Sequence, residues 1–199
     1  MCEGGPYNHP LTHVRLDPQG KLPFAPSKPF QLQFGRGSTW SGYDTVTIGK
    51  TGHVVLHQKR RAFLTARGEI KPWRNVLRDG EYVAGMPMAE YWERAELELS
   101  DASVRRLGMA LVKEGVPGMA SEYRADSVCD GAQWILRLQQ DGRWKRIYCS
   151  NHFPEGLQDF AAAVDAELEQ AGLATAPWKR VPANQDRRHE KSLWYGARP

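Results

Sequence analysis

The sequence predicts an α+β protein, an antiparallel sheet with two helices packed on one of its faces. Three observations carry that prediction. Short runs of alternating apolar and polar residues recur along the chain, each bounded by glycine or proline. Two longer segments, about 101–114 and 154–171, repeat their apolar residues at the three- and four-residue spacing of a helix. The strands are joined by tight turns, and a tight turn makes its two strands antiparallel.

The elements follow in order. Residues 1–29 are rich in proline and lack periodicity, which predicts an extended arm lying on the surface. Phe30-Gln31-Leu32-Gln33-Phe34 alternates as a half-buried strand does. Tyr43–Ile48 and His53–His57 are β-rich runs on either side of Gly49-Lys50-Thr51-Gly52, a hairpin turn. Between residues 60 and 90, Pro72, Gly80, Gly85 and Pro87 interrupt every pattern and predict a long loop with short elements. Ala95, Leu97 and Leu99 then alternate with Glu96 and Glu98, giving a strand with one charged face.

Ser100 is suited to cap the first helix, because its hydroxyl can accept from the unpaired amides of the first turn. Val104, Leu107, Ala110 and Leu111 fall on one side of that helix, and Gly115 stops it. Asp141-Gly142 predicts a two-residue hairpin turn. Pairing about it sets Leu138 opposite Lys145, Leu136 opposite Ile147 and Trp134 opposite Cys149. One face then holds Trp134, Leu136, Leu138, Ile147 and Cys149, and belongs in the core. The other holds Ile135, Arg137, Trp144, Arg146 and Tyr148, an aromatic and basic set. Pro154 opens the second helix, Leu157, Phe160, Ala161, Val164, Leu168 and Ala171 form its stripe, and Gly172 ends it. The domain is thus expected over 30–173, followed by a tail over 174–199.

Composition bounds the function classes. With 199 residues, 41% hydrophobic residues and seven Trp, the chain can build a core of its own. No apolar run approaches the ~20 residues of a membrane span. Three Cys are too few for a disulfide scaffold or a multi-thiolate metal centre. The net charge of +4 sits in the tail, where six basic residues face two acidic ones, so the body is neutral. The first residues lack the basic-then-apolar signature of a secretory signal, and the expectation is a cytoplasmic protein. The alternative is an exported lipoprotein with Cys2 as its lipid anchor.

Asp130-Gly131-Ala132-Gln133-Trp134 to Gly142, followed by Ser150-Asn151-His152-Phe153-Pro154 to Phe160, resembles a pattern in small uncharacterised bacterial proteins. These share D-G-x-x-W-x-L, a hairpin glycine, and S-N-x-[YF]-P leading into an amphipathic helix. The resemblance covers about 35 residues. It implies a bacterial origin and a hairpin–helix unit, with Trp134 as a core anchor, Asn151 in a turn or cap and Pro154 at the helix start. It implies no activity.

Several constellations have residue types that could carry chemistry. Gly49-Lys50-Thr51 echoes the end of a phosphate-binding loop, but Asp44 stands where that motif needs glycine and a β-rich run follows. A turn is the expected reading. His53 and His57 share a strand face, and pairing about residues 50–51 sets Asp44 opposite His57. Those three side chains would offer a metal-dependent hydrolase two imidazoles and a carboxylate. Cys149 and His152 suggest a thiolate–imidazole pair, yet the hairpin turns Cys149 into the core, where a thiol is inert. Cys129 and Cys149 would need a bend at Asp130-Gly131 to form a disulfide.

Lys59, Arg60, Arg61, Arg67, Lys71 and Arg74, with Trp73 among them, form the densest basic stretch and suit single-stranded nucleic acid. Trp178, Trp194 and Tyr195 are unusual in a tail and are expected to dock, on this sheet or on a partner. With Arg137, Trp144, Arg146 and Tyr148 they form the predicted partner-binding set. No cofactor is implied. The sequence therefore points to a bacterial protein-binding module rather than an enzyme, an immunity-type protein that occludes a toxin being the specific form. Nucleic-acid binding through 59–78 and the tail is the alternative, and the metal-dependent hydrolase a further one.

Overall fold

Alternation from Phe30 onward gives one strand an apolar and a polar face, and β1 (Gln31–Ser38) lies in the interior of the sheet, paired along both edges. Leu32 and Phe34 point to the face covered by the helices, and both are fully buried. The computed structural model of the chain describes residues 20–38, 42–64, 70–72, 80, 88–125 and 131–181. On one side of β1, the strands β2 (Gly42–Ile48), β3 (His53–Leu64) and β5 (Met88–Glu98) follow as an antiparallel meander. The three-residue β4 (Ile70–Pro72) pairs with the far end of β3. On the other side, the hairpin of β7 (Ala132–Gln140) and β8 (Arg143–Ser150) returns to pair β7 with β1.

Two short strands form the edges. β6 (Glu122–Arg124) pairs parallel with β8, and β9 (Lys179–Val181) pairs antiparallel with β5. The order across the sheet is β6-β8-β7-β1-β2-β3-β5-β9. Every described pairing except β6–β8 is antiparallel, as the sequence predicts.

The helices α1 (Asp101–Lys113) and α2 (Glu155–Gln170) lie within one residue of their expected bounds. The Ser100 hydroxyl accepts from the Ser103 amide at 3.1 Å, the cap the sequence implies. Leu107 and Leu111 of α1 and Leu157, Phe160, Ala161, Val164 and Leu168 of α2 close over Leu32, Phe34, Val46, Ile48, Val54, Leu56, Leu136, Leu138 and Ile147. An ion pair ties the helices together: Arg106 donates to both carboxylate oxygens of the buried Glu167, at 2.6 and 2.7 Å. Neither helix is long and apolar enough to cross a membrane.

The β7–β8 register is the expected one, with Trp134 opposite Cys149. Asp141 (φ 51°) and Gly142 (φ 76°) both take the left-handed conformation that a two-residue hairpin turn requires. Beyond the hairpin, Asn151 (φ 56°) reverses the chain and its amide donates to the Ala132 carbonyl. A Cβ on Gly131 would run into the Asn151 side-chain amide, which would have to move aside, so the Asn151 side chain packs directly over the Gly131 backbone. The Trp134 ring lies 4.6 Å from Phe153 and 5.6 Å from Phe34. Gly131 and Trp134 of the first segment thus meet Asn151 and Phe153 of the second in one joint between hairpin and helix, and Asp130 lies outside the described residues.

Three expectations are corrected. The end of the arm, residues 20–29, is docked rather than laid on the surface: Leu22 is a core residue, and Phe24 packs edge-on against the buried Phe30. The Lys145 ammonium and the Gln140 amide, whose hydrogen-bonding groups would otherwise be buried alone, are satisfied by backbone groups of Gly20, Ala25 and Lys28. Residues 1–19 lie outside the described residues. The loop expected over 60–90 is shortened from both ends, because β3 continues to Leu64 and β5 begins at Met88; their long mutual pairing overrides the weak local pattern. The beginning of the expected tail belongs to the sheet, with Lys179, Arg180 and Val181 paired to Arg94, Glu93 and Trp92.

Candidate functional site

Paired residues of neighbouring strands share a face, so side chains on the face away from the helices stand in rows across the sheet. One row is Trp144, Gln139, Gln31. The next is Arg146, Arg137, Gln33, Thr47, Val55, Glu96. A third is Tyr148, Ile135, Gly35, Thr45, His57, Arg94. The third row is buried over most of its length: Tyr148, Ile135, Thr45 and His57 are each no more than 5% exposed. The other two are more open, and Trp144 is 38% exposed.

The opened end of this face, on β1, β7 and β8, is the most distinctive arrangement. Arg137 and Arg146 stand directly opposite each other. Their guanidinium carbons lie 5.7 and 5.4 Å from the centroid of the Trp144 ring, so the indole is held by two cations. Burial, and then the neighbouring charge of Arg137, push the Arg146 pKa down. Like charges at directly paired positions destabilise a sheet, so this pair is retained against its own repulsion. Gln31, Gln33, Arg137 and Gln139 line a cavity of about 80 Å³ beside it. The Nε of Arg137 is buried and has no hydrogen-bond partner among the described residues.

The opposite end of the same face mixes the two signs, with Lys59 and Arg94 standing beside Glu96 and Glu98. Glu98 accepts from or is paired with His53 at 2.7 Å, and Glu96 pairs with Arg94 at 2.6 Å and lies 3.6 Å from His53. Four strand steps separate Arg137 from Glu96, about 19 Å at the usual ~4.8 Å strand spacing. The described open face is therefore basic at one end and mixed in charge at the other.

Of the predicted partner-binding residues, Arg137, Trp144, Arg146 and Tyr148 share this face, but Tyr148 and Arg146 are only 3% and 4% exposed. Trp144 and part of Arg137 are what solvent reaches. Trp178 lies on the helix side, half-buried against the core, and its surroundings are those of a packing residue. Trp194 and Tyr195 lie outside the described residues. The glutamines were missed. Their alternation with Leu32 and Phe34 put them on one face, but nothing local said that β7 would bring Arg137 and Gln139 beside them.

The metal trio is corrected. A three-residue loop, Lys50–Gly52, closes the β2–β3 hairpin, with the Gly49 amide donating to the His53 carbonyl and Gly52 at φ 90°. That loop is one residue longer than a two-residue turn about 50–51, and it sets Thr45, not Asp44, opposite His57. One step of register flips a strand's faces. Asp44 consequently lies on the helix side, 3.0 Å from Arg60, with its carboxyl pKa raised by burial against the opposing pull of Arg60. His53 and His57 lie on the other side. Burial, then the charge of Arg94, lowers the His57 pKa to about 4. Among the described residues, no three His, Cys, Asp or Glu are grouped to hold a metal ion.

The basic stretch is divided in the same way. Lys59 points to the open face over Trp92, whereas Arg60 points to the helix face and is engaged by Asp44, Gln58 and Glu93. Lys71 is on β4; the Arg61 side chain, Arg67, Trp73 and Arg74 lie outside the described residues. Cys149 is free and fully buried, and burial pushes its thiol pKa up to about 12, which disfavours the nucleophilic thiolate. Cys129 lies outside the described residues.

No protein-family model matches the chain and no curated protein matches it, so the reading of this site stands on its geometry.

Proposed function

We propose that the chain is a non-enzymatic binding module that holds a partner protein on the β1–β7–β8 end of its open sheet face. The observation that carries this reading is the exposed Trp144, its ring in cation–π contact with both Arg137 and Arg146 and next to a polar cavity. Trp and Arg are the side chains that most often dominate protein interfaces, because a rigid ring and a multi-donor fork lose little entropy on docking. A protein that neutralises a bacterial toxin by covering it is one form of such a module, and it requires a surface rather than a catalytic group.

The carboxylates set among the cations of the far end favour a protein over a polynucleotide. A nucleic-acid strand needs a continuous basic track, and a strand crossing this face from Arg137 would meet Glu96 and Glu98. A partner of mixed charge fits both ends.

The test is retention of a stoichiometric partner from the native host on the immobilised chain, comparing the wild type with Trp144→Ala. Loss of at least tenfold in the variant is expected. No stoichiometric partner, or equal retention by both proteins, removes the reading. Binding of an oligonucleotide that weakens steeply between low and high salt would put nucleic acid in its place.

A further inference from the structure

We infer that the cavity lined by Gln31, Gln33, Arg137 and Gln139 is a binding site for a single carboxylate group. The inference rests on the reading of this end of the sheet as the recognition surface, and it gives that surface its ligand chemistry.

The lining consists of side chains able to donate hydrogen bonds, three carboxamides and one guanidinium, and no carboxylate is among them. The register fixes them at the corners of a square, with Gln31 opposite Gln139 and Gln33 opposite Arg137 on two adjacent strands. Such a square converges donors from two strands on one small volume. The Arg137 Nε is already stripped of water and has no partner among the described residues, so its desolvation is not compensated by a hydrogen bond there. An anion in the cavity would compensate it. It would also relieve the repulsion between Arg137 and the directly paired Arg146.

Volume and charge select the class. About 80 Å³ holds a carboxylate in place of a few waters. Of the four lining side chains one carries a full charge, which matches a monoanion. The three carboxamides can donate but carry no charge, so the second charge of a phosphate dianion would have no counter-charge in the cavity. The carboxylate comes either from a small free acid or from an Asp or Glu side chain of a bound protein, which Trp144 would flank.

The experiment follows the Arg137 Nε–H resonance of the intact ¹⁵N-labelled chain at constant ionic strength. The probes are sodium acetate, inorganic phosphate, and the blocked peptide acetyl-Gly-Glu-Gly-amide with its Gln counterpart. Acetate and the Glu peptide are expected to move the resonance saturably, while the Gln peptide does not and the exposed Arg105 on α1 stays still. A tighter response to the Glu peptide than to acetate assigns the carboxylate to a protein side chain; the reverse assigns it to a free acid. Arg137→Lys keeps the charge but removes Nε and the fork, and should weaken binding at least tenfold, read from neighbouring backbone amides. Gln33→Leu, which leaves Arg137 in place, should weaken it severalfold and guards against loss of the fold in the first variant.

No saturable shift, an equal response at Arg105, or phosphate binding tenfold tighter than acetate overturns the inference. A partner lost by Trp144→Ala with no response to acetate leaves the recognition surface and removes the carboxylate site. A response to acetate with no partner retained leaves the site and removes the surface.

Discussion

Trp134 and Trp144 lie on the same hairpin, ten residues apart, and replacing each by alanine separates the core from the recognition surface. Trp134 is half-buried and packs at 4.6 Å on Phe153 and 5.6 Å on Phe34, next to the fully buried Phe160. A fully buried Trp→Ala change costs about 3–5 kcal/mol, and aromatic pairs contribute about 0.5–1.5 kcal/mol beyond area burial. Partial exposure of Trp134 brings the expected loss to about 2–4 kcal/mol. For a chain of this length each kcal/mol moves the melting temperature by about 2–4 °C, so a drop of about 4–16 °C is expected.

Trp144 is different. It is 38% exposed, and its contacts with Arg137 and Arg146 are worth about 0.5–1 kcal/mol each at an accessible site. Its loss should cost about 1–2 kcal/mol, a shift of about 2–8 °C at most, and leave the far-ultraviolet circular dichroism unchanged. Thermal melts of the two variants side by side, followed by the partner-retention assay on Trp144→Ala, complete the test. If Trp144→Ala destabilises as much as Trp134→Ala, the indole is a packing residue and the recognition surface is lost.

Gly52→Ala should be more damaging than Gly142→Ala. Both glycines have positive φ, but a Cβ at Gly52 would also lie 2.5 Å from the Leu99 carbonyl, whereas the space at Gly142 is open. Denaturant titration should give about 1–2 kcal/mol for Gly142→Ala and about 1–3 kcal/mol more for Gly52→Ala, and equal losses would contradict the three-residue loop. Acidification should destabilise the protein through His57. Its folded pKa is depressed to about 4, so the unfolded chain takes up the proton first, and stability is lost as pH falls from about 6.5 to about 4. The loss is at most about 3 kcal/mol, and His57→Gln should flatten the pH curve over that window. Glu167 acts lower. The hydrogen bond from Arg106 depresses its pKa, so its contribution is present above the ordinary Glu range and lost as pH falls below about 4.5, a limb that Glu167→Gln should remove. Cys149 should resist iodoacetamide at pH 8 in the folded protein and react on unfolding, as peptide mapping would show.

Much of this architecture could be read locally. The stripes and stops of both helices, the Ser100 cap and the β7–β8 pairing are consequences of residues that lie within a few positions of one another. The Asp44 placement was open to the same kind of reasoning, but Gly49 and Gly52 permit both a two- and a three-residue loop. Local pattern does not choose between them; the Gly52 backbone packed against Leu99, with the Leu99 amide donating to the Gly52 carbonyl, does. The interior of β3 was obscured for another reason. Lys59-Arg60-Arg61 has no alternation of polarity, because its two faces are both polar, one paired with Asp44 and Glu93 and the other set over Trp92.

The sequence by itself determined the α+β class, the two helices and the two faces of the β7–β8 hairpin, since the backbone geometry of Asp141-Gly142 and the periods of two and 3.6 residues are local properties. Only the tertiary structure decided that β7 pairs with β1, about a hundred residues away, and so which side chains meet Arg137. That register is set by Phe34 packing with Leu136 and Trp134 beneath the helices. No turn connects the two strands, so shape and burial on the covered face choose the alignment. The open face inherits it, and Gln31, Gln33 and Gln139 come to surround one arginine because of what is packed on the other side of the sheet.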